Sequence, residues 1–433
     1  MAISPLQLIR QATPGQRRTL LAAALGWALD AFDAMLYSLV LALLMRDLGM
    51  TKTVAGFLGT LTLLASGVGG MLFGFLADRI GRKQALMASI LTYSVCSFAS
   101  GLATSVAVLA AARFVLGLGM GGEWNTGATL VAESWPTEFR AKAIALVQSS
   151  WAPGFAVAAL VAGPVARYLG WRAVFFVGIL PAVVTLWMRR RVPESEMWAA
   201  SLRNSGNAAG KSPLLATPAK SGALSNEKDG ASISTIFRAP YVRYTFALLL
   251  FNFFLLFAYW GLFTWMPPYL ALPVEQGGRG LGMMGMSTLM VLLNLLGMFP
   301  GYVSFGWVAD YVGRRKAFFI YTFTASLLIP LYAAARSPIA LLLLGAVVAF
   351  FGTGAFSGSG IMGSEIFPTV VRARALGLTY NGARMMSALA PLIIGRVGQA
   401  KGLSWAFYLC AASYLLAALT TTQLPETKGK QLE

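Results

Sequence analysis

Twelve runs of about 17–25 mostly apolar residues, joined mainly by short polar loops, leave this 433-residue chain few ways to fold. Inside a bilayer every backbone N–H and C=O must be satisfied within the protein, and an apolar run of this length does so as a helix. The runs fall near 19–44, 54–77, 85–103, 107–131, 142–169, 172–188, 243–270, 284–309, 317–334, 338–363, 374–399 and 403–424. Hydrophobic residues make up 57% of the chain and charged residues 12%, with a mean hydropathy of +0.67. Soluble domains carry about twice that charge, so soluble enzymes and nucleic-acid binders are excluded despite the net charge of +18.

The basic residues report topology. Twenty-four Lys and Arg fall on the side of the N-terminus, eight on the opposite side and two, Arg113 and Arg384, inside spans. By the positive-inside rule both termini and the central linker are cytoplasmic. No cleavable signal peptide is expected, because the first apolar run is too long for one and comes after 18 polar, basic residues. The expected organisation is a six-helix lobe at 1–188, a Ser-, Gly- and Lys-rich cytoplasmic linker at 189–242, and a second six-helix lobe at 243–433.

The chain repeats itself at one ungapped offset of 232 residues. Asp78-Arg-Ile-Gly-Arg82-Lys recurs as Asp310-Tyr-Val-Gly-Arg314-Arg, and Glu133-Ser-Trp-Pro with Arg140 as Glu365-Ile-Phe-Pro with Arg372. Pro193-Glu-Ser recurs as Pro425-Glu-Thr. The expected fold class is therefore an all-α polytopic membrane protein, with 12 transmembrane helices in two six-helix lobes related by a pseudo-twofold parallel repeat. That is the architecture of an alternating-access carrier.

Chemistry is restricted by what is missing. There is no histidine, and the two cysteines, Cys96 and Cys410, sit inside apolar runs. No Ser–His or Cys–His dyad can be built, and no catalytic constellation, metal site or cofactor motif is expected. The informative groups are the rare ionisable residues within the spans, which are expensive in a bilayer and usually functional. Asp30 and Asp33 lie i, i+3 near the middle of the first span, with Tyr37 one turn further on the same face. Such carboxylates, placed between desolvation and a nearby cation, can load and unload a proton. Arg113 is their expected cation, differing from Asp33 in depth by only about 7 Å. Glu123, ten residues on, is a second coupling candidate or part of a cytoplasmic gate. A fixed structural ion pair is the competing reading for the whole group.

Arg384 lies near the middle of the eleventh span, and no acid in that span can neutralise it. A guanidinium in this position suits the planar fork of a carboxylate. Tyr380 and Asn381, at i−4 and i−3, are expected on its face; pairing with Asp30 or Asp33 across the cavity is the alternative. Trp27, Tyr37, Trp151, Tyr259, Trp260 and Asn125 are candidates for the rest of the pocket wall. Helix packing is the alternative for each, and an interhelix hydrogen bond for Asn125.

Several of these motifs resemble one family. Gly-Phe-Leu-Ala-Asp78-Arg-Ile-Gly-Arg82-Lys and Arg113-Phe-Val-Leu-Gly117-Leu-Gly119-Met-Gly121 look like signatures of the major facilitator superfamily. The Glu-x-x-Pro-x-x-x-Arg repeats and the Pro-Glu-Ser and Pro-Glu-Thr motifs are similar to its sugar-porter and organic-ion branches. Leu29-Asp30-Ala-Phe-Asp33, Gly122-Glu123-Trp124, Ala132-Glu133-Ser-Trp-Pro136 and Tyr259-Trp260-Gly-Leu-Phe-Thr-Trp265-Met-Pro267 resemble the sialate/lactate proton symporters and their organic-acid relatives. The sialate members commonly carry two more spans, and Ala141 stands where sugar porters usually have Gly. The resemblance implies a multi-pass carrier of the plasma membrane (the inner membrane of a bacterium), functional as a monomer. Its partners would be a small organic anion, a monocarboxylate such as lactate first, and protons. Proton-coupled export of cationic or amphipathic drugs is the alternative, as is symport of an aromatic acid, sialate or a sugar. The likeness also implies gates, with Asp78, Arg82, Glu133 and Arg140, and Asp310, Arg314, Glu365 and Arg372, latching the lobes at the cytoplasmic face.

Overall fold

The computed structural model describes residues 12–195, 198, 236–239, 241–367 and 369–428. The expected 189–242 linker falls for the greater part outside them. The first lobe comprises α1 (Pro14–Asp47), α2 (Lys52–Ile80), α3 (Arg82–Gly101), α4 (Val106–Ser134), α5 and α6. α5 begins as Thr137–Ser149 and continues from Trp151 to residue 169, where Gly170 (φ 80°, ψ 173°) breaks it. Residues 171–177 and Pro181–Arg191 then form α6. The second lobe holds α7 (Tyr241–Ala271), α8 (Gly282–Val312), α9 (Arg314–Ala334), α10 (Pro338–Ile366), α11 (369–401) and α12 (Leu403–Thr421).

Nine helical stretches among the described residues are long and apolar enough to cross a membrane. One of them, Lys142–Arg191, contains the Gly170 break and so crosses twice. α3 and the segmented α11 complete twelve. α3 is less apolar because it turns its polar side inward: Ser89, Ser94, Ser97 and Ser100 are buried, whereas Leu91, Val95 and Phe98 are exposed. That inversion is what a helix facing lipid requires.

The 232-residue repeat governs the backbone as well as the motifs. α3, α4 and α5 begin at 82, 106 and 137, and α9, α10 and α11 begin at 314, 338 and 369. The turns before α3 and α9 are made by Gly81 (φ 105°) and Gly313 (φ 102°), a region closed to residues with a Cβ.

Glycines set the tightest crossing in the first lobe. A Cβ at Gly117 would strike the Thr62 carbonyl oxygen, and one at Gly121 the Ser66 carbonyl oxygen. Spaced by four, the two glycines let α4 lie backbone to backbone on α2, where van der Waals contact drives association in lipid. Gly119 faces α3 at Tyr93.

The lobes are stitched together from the middle of the bundle to the end remote from the Asp78–Arg82 and Asp310–Arg314 turns. Lys52 N donates to Gln399 Oε1 (3.0 Å) and Lys52 Nζ to the Gln276 carbonyl (3.1 Å). Leu392 N donates to Thr60 Oγ1 (3.3 Å), and Ser287 Oγ to the Ala159 carbonyl. Pro391 lies directly against Gly56 and Gly59.

Candidate functional site

The ionisable groups read from the spans converge in the core of the first lobe and at the seam. Asp30, Asp33 and Glu123 are fully buried, and Arg113 nearly so. Asp33 is held by α3, whose Ser97 Oγ donates to Asp33 Oδ1 at 2.8 Å. Gly178, between the two segments of α6, leaves the space its carboxylate occupies. Arg113 lies over the Tyr37 ring, 4.9 Å from its centroid, and within electrostatic range of Asp33. The expected Arg113–acid pair is thus a neighbour relation; no direct ion pair of Arg113 occurs among the described residues. Tyr37 spends its hydroxyl on the Ala55 carbonyl at 2.8 Å. Tyr37 and Arg113 line a narrow cavity at the seam with Trp260, Thr264 and Pro391 of the other lobe.

Nearer the motif-bearing end, Asp30 and Glu123 lie within electrostatic range of one another and of Arg384, without a direct ion pair among the described residues. Glu123 rests against Gly26, one helical turn before Asp30, where any side chain would collide with it. None of the four carboxylate oxygens of Asp30 and Glu123 has a hydrogen-bond partner in the described structure. Arg384 is half-buried and crosses the seam, Nη2 donating to Ser66 Oγ on α2 at 3.2 Å. The arrangement therefore places one guanidinium of the second lobe opposite two carboxylates of the first.

The backbone around Arg384 differs from the expected regular helix. Residues Gly377–Gly382 are a π-helix, which takes more residues per turn and rotates the phase of the residues beyond it. Tyr380 stays half-buried beside Arg384, whereas Asn381 is exposed. The three residues do not share one environment. A second π-helix, Asn294–Met298, interrupts α8.

Aromatic residues line the seam beside these charges. Trp124, Trp27, Trp151 and Trp260 form a chain, with ring centroids 4.6 Å, 4.8 Å and 6.1 Å apart in that order. Trp151 Nε1 donates to the Tyr259 hydroxyl at 2.6 Å, joining α5 to α7. Trp27 is among the aromatics the sequence offers for the pocket wall, whereas sequence alone does not separate Trp124 from packing residues and Ser66 carries no signal at all. The side chain of Asn125 lies outside the described residues.

The motif-bearing turns form two networks, each within its own lobe. Arg82 pairs with Asp78 (2.9 Å) and Glu133 (3.2 Å), and Arg314 pairs with Asp310 and with Glu365 (3.5 Å). The expected lobe-to-lobe latch is not what these pairs make. Arg82 opens α3 right after the Gly81 turn and reaches the end of α4 in the same lobe, and Arg314 repeats this on α9 and α10. Arg372 Nε donates to the Phe367 carbonyl at 3.2 Å, and Arg140 Nε has no hydrogen-bond partner among the described residues. The third repeated motif completes each network. Glu194 Oε1 accepts from Lys83 N (3.0 Å) and Ser195 Oγ donates to Glu133; Glu426 Oε1 accepts from Arg314 N (2.8 Å) and Thr427 Oγ1 donates to Glu365 (2.5 Å). Its recurrence at the 232 offset is the signal that marks it in the sequence.

A two-lobed helical bundle with an intramembrane charge cluster on its seam is a secondary carrier. The chain belongs to the major facilitator superfamily, whose family model matches residues 23–304 and 281–432. It is similar to the sialic acid transporter NanX of Escherichia coli, with 32% identity over 96% of both chains. A probable 4-methylmuconolactone transporter of Cupriavidus pinatubonensis is 31% identical over 97% of this chain and 93% of that one. Among solved structures, the partially occluded inward-open xylose transporter XylE of E. coli superposes with a TM-score of 0.74 at 17% identity, covering 97% of this chain and all of that one. The protein is a membrane transporter and not an enzyme.

Proposed function

We propose that this carrier imports a small organic anion together with protons by alternating access, with both termini cytoplasmic and lobes close to 1–188 and 243–433. The observation that carries the proposal is Arg384, set at the seam opposite Asp30 and Glu123 with no acid in its own helix. In the empty carrier the two carboxylates outweigh the one guanidinium, leaving a net negative charge at the seam. A substrate carboxylate offers Arg384 a bidentate partner and displaces them, and the acids then take up protons instead of remaining charged in a low-dielectric site. The loaded seam carries less net charge, so the lobes can rock past it. A cation exporter would find Arg384 repelling its cargo.

Lactate satisfies the charge logic. The Trp124–Trp27–Trp151–Trp260 chain supports a second reading, a carboxylate with an unsaturated or aromatic face that stacks on indole. The relatives named for sialic acid and 4-methylmuconolactone point away from the smallest acids too. Purified protein in liposomes, with an acidic exterior, is expected to accumulate a labelled carboxylate. Competition by unlabelled lactate, benzoate and sialate then ranks the substrates. Failure of every carboxylate to accumulate or compete, with efflux of a cationic dye instead, overturns the proposal.

A further inference from the structure

We infer that Tyr93 is the hydroxyl link through which a proton passes between Asp33 and the Asp30–Glu123 pair, on a route inside the first lobe that meets the substrate's path only at that pair. The inference rests on the proton-symport reading above. Tyr93 lies on α3, is fully buried, and its hydroxyl has no hydrogen-bond partner among the described residues. A buried phenol without a partner is unusual and calls for an explanation. Its surroundings supply one: Asp30, Asp33 and Glu123 all act on it electrostatically.

The levels are in the right order. Ser97, which holds Asp33, is four residues after Tyr93 and on the same face of α3. Tyr93 therefore lies one turn from the Asp33 level toward the motif-bearing end, where Asp30 and Glu123 lie within electrostatic range of Arg384. Gly119 on α4 lets the α3 backbone at Tyr93 approach closely. Ser94 Oγ, the next residue on α3, is likewise buried and unpartnered.

The transfer balances without any further reactant. In this state the Tyr93 hydroxyl is outside hydrogen-bond distance of either aspartate, so side-chain movement or a bridging water closes each gap; the Tyr93 oxygen then accepts the proton of a protonated Asp33 as its own O–H proton passes to the Asp30 carboxylate. The phenol stays neutral, Asp33 becomes a carboxylate and Asp30 a carboxylic acid. Rotation of the hydroxyl resets the link. Tyr93 touches no substrate and acts only as a relay for the proton.

The test compares gradient-driven accumulation with counterflow, which exchanges labelled for unlabelled substrate without net proton movement, in liposomes. Tyr93→Phe keeps the ring and is expected to lower the ratio of gradient-driven to counterflow rates at least about tenfold. Incorporating 3,5-difluorotyrosine at position 93 keeps the hydroxyl, makes it more acidic, and is expected to shift the pH profile of accumulation. An unchanged ratio in Tyr93→Phe, an equal fall in both rates, or an unchanged pH profile with the fluorinated residue overturns the inference. Absence of gradient-driven accumulation in the wild type would instead overturn the symport reading on which it rests.

Discussion

Deleting the hydroxyl of Ser66 should loosen the carrier's hold on its closed remote end. Ser66 is 1% exposed and meets Arg384 across the seam at 3.2 Å, while its own proton goes to the Leu63 carbonyl at 2.9 Å. A hydrogen bond to a charged group contributes about 1.5–3 kcal/mol net. This one is at the long end of the N–H···O range, so about 1.4 kcal/mol is the reasonable figure, a tenfold change in an equilibrium constant. The contact joins the two lobes at the middle of the seam, so its loss acts on the equilibrium between their arrangements. A carrier resting at about 99:1 would move to about 91:9. Electron–electron double resonance between nitroxides in the 48–51 and 277–281 loops measures that population directly. Ser66→Ala should enrich the long-distance component about tenfold. An unchanged distance distribution would show that the Arg384–Ser66 contact carries no conformational free energy.

Gly121→Val places a side chain on the Ser66 carbonyl oxygen and Gly70 N, and overpacking of this kind costs about 1–3 kcal/mol. A lowered unfolding temperature in detergent is expected, whereas Gly360→Ala, with open space around it, should leave that temperature within about a degree or raise it slightly. Glu133→Gln weakens the Arg82 network inside the first lobe, where Arg82 and Glu133 are 14% and 17% exposed; the expected loss is about 1–2 kcal/mol, read in the same melt. Arg384→Lys keeps the charge but loses the planar fork, so the substrate KM should rise about tenfold, measured by concentration-dependent uptake.

The helices are legible because a bilayer imposes length and apolarity directly on sequence, and the 232-residue offset displays the two lobes without any structure. The same offset places the Gly81 and Gly313 turns and matches Glu133 with Glu365. Other features have no signature of this kind. A π-helix at Gly377–Gly382 has the same hydropathy as an α-helix, which hides the changed phase of Asn381. Ser66 is an ordinary serine until α2 and α11 are known to face each other across the seam. The networks around Arg82 and Arg314 close within a lobe where family likeness suggests a bridge, because charge spacing along a chain says nothing about which helix end lies within reach. Tyr93 is hidden among the many tyrosines of an apolar chain, and only its burial beside three acids distinguishes it.

The most direct test of the central claim is the proton itself. A pH-sensitive dye trapped in liposomes containing the purified carrier should report acidification of the lumen when an accumulated carboxylate is added outside, in a voltage-clamped, protonophore-free membrane. The account predicts that this signal accompanies uptake in the wild type and vanishes in Arg384→Ala, which cannot hold the anion. It predicts that Asp30→Asn combined with Glu123→Gln exchanges substrate without moving protons. Substrate uptake by the wild type with no change in lumenal pH, or proton influx that persists in the double variant, would contradict it.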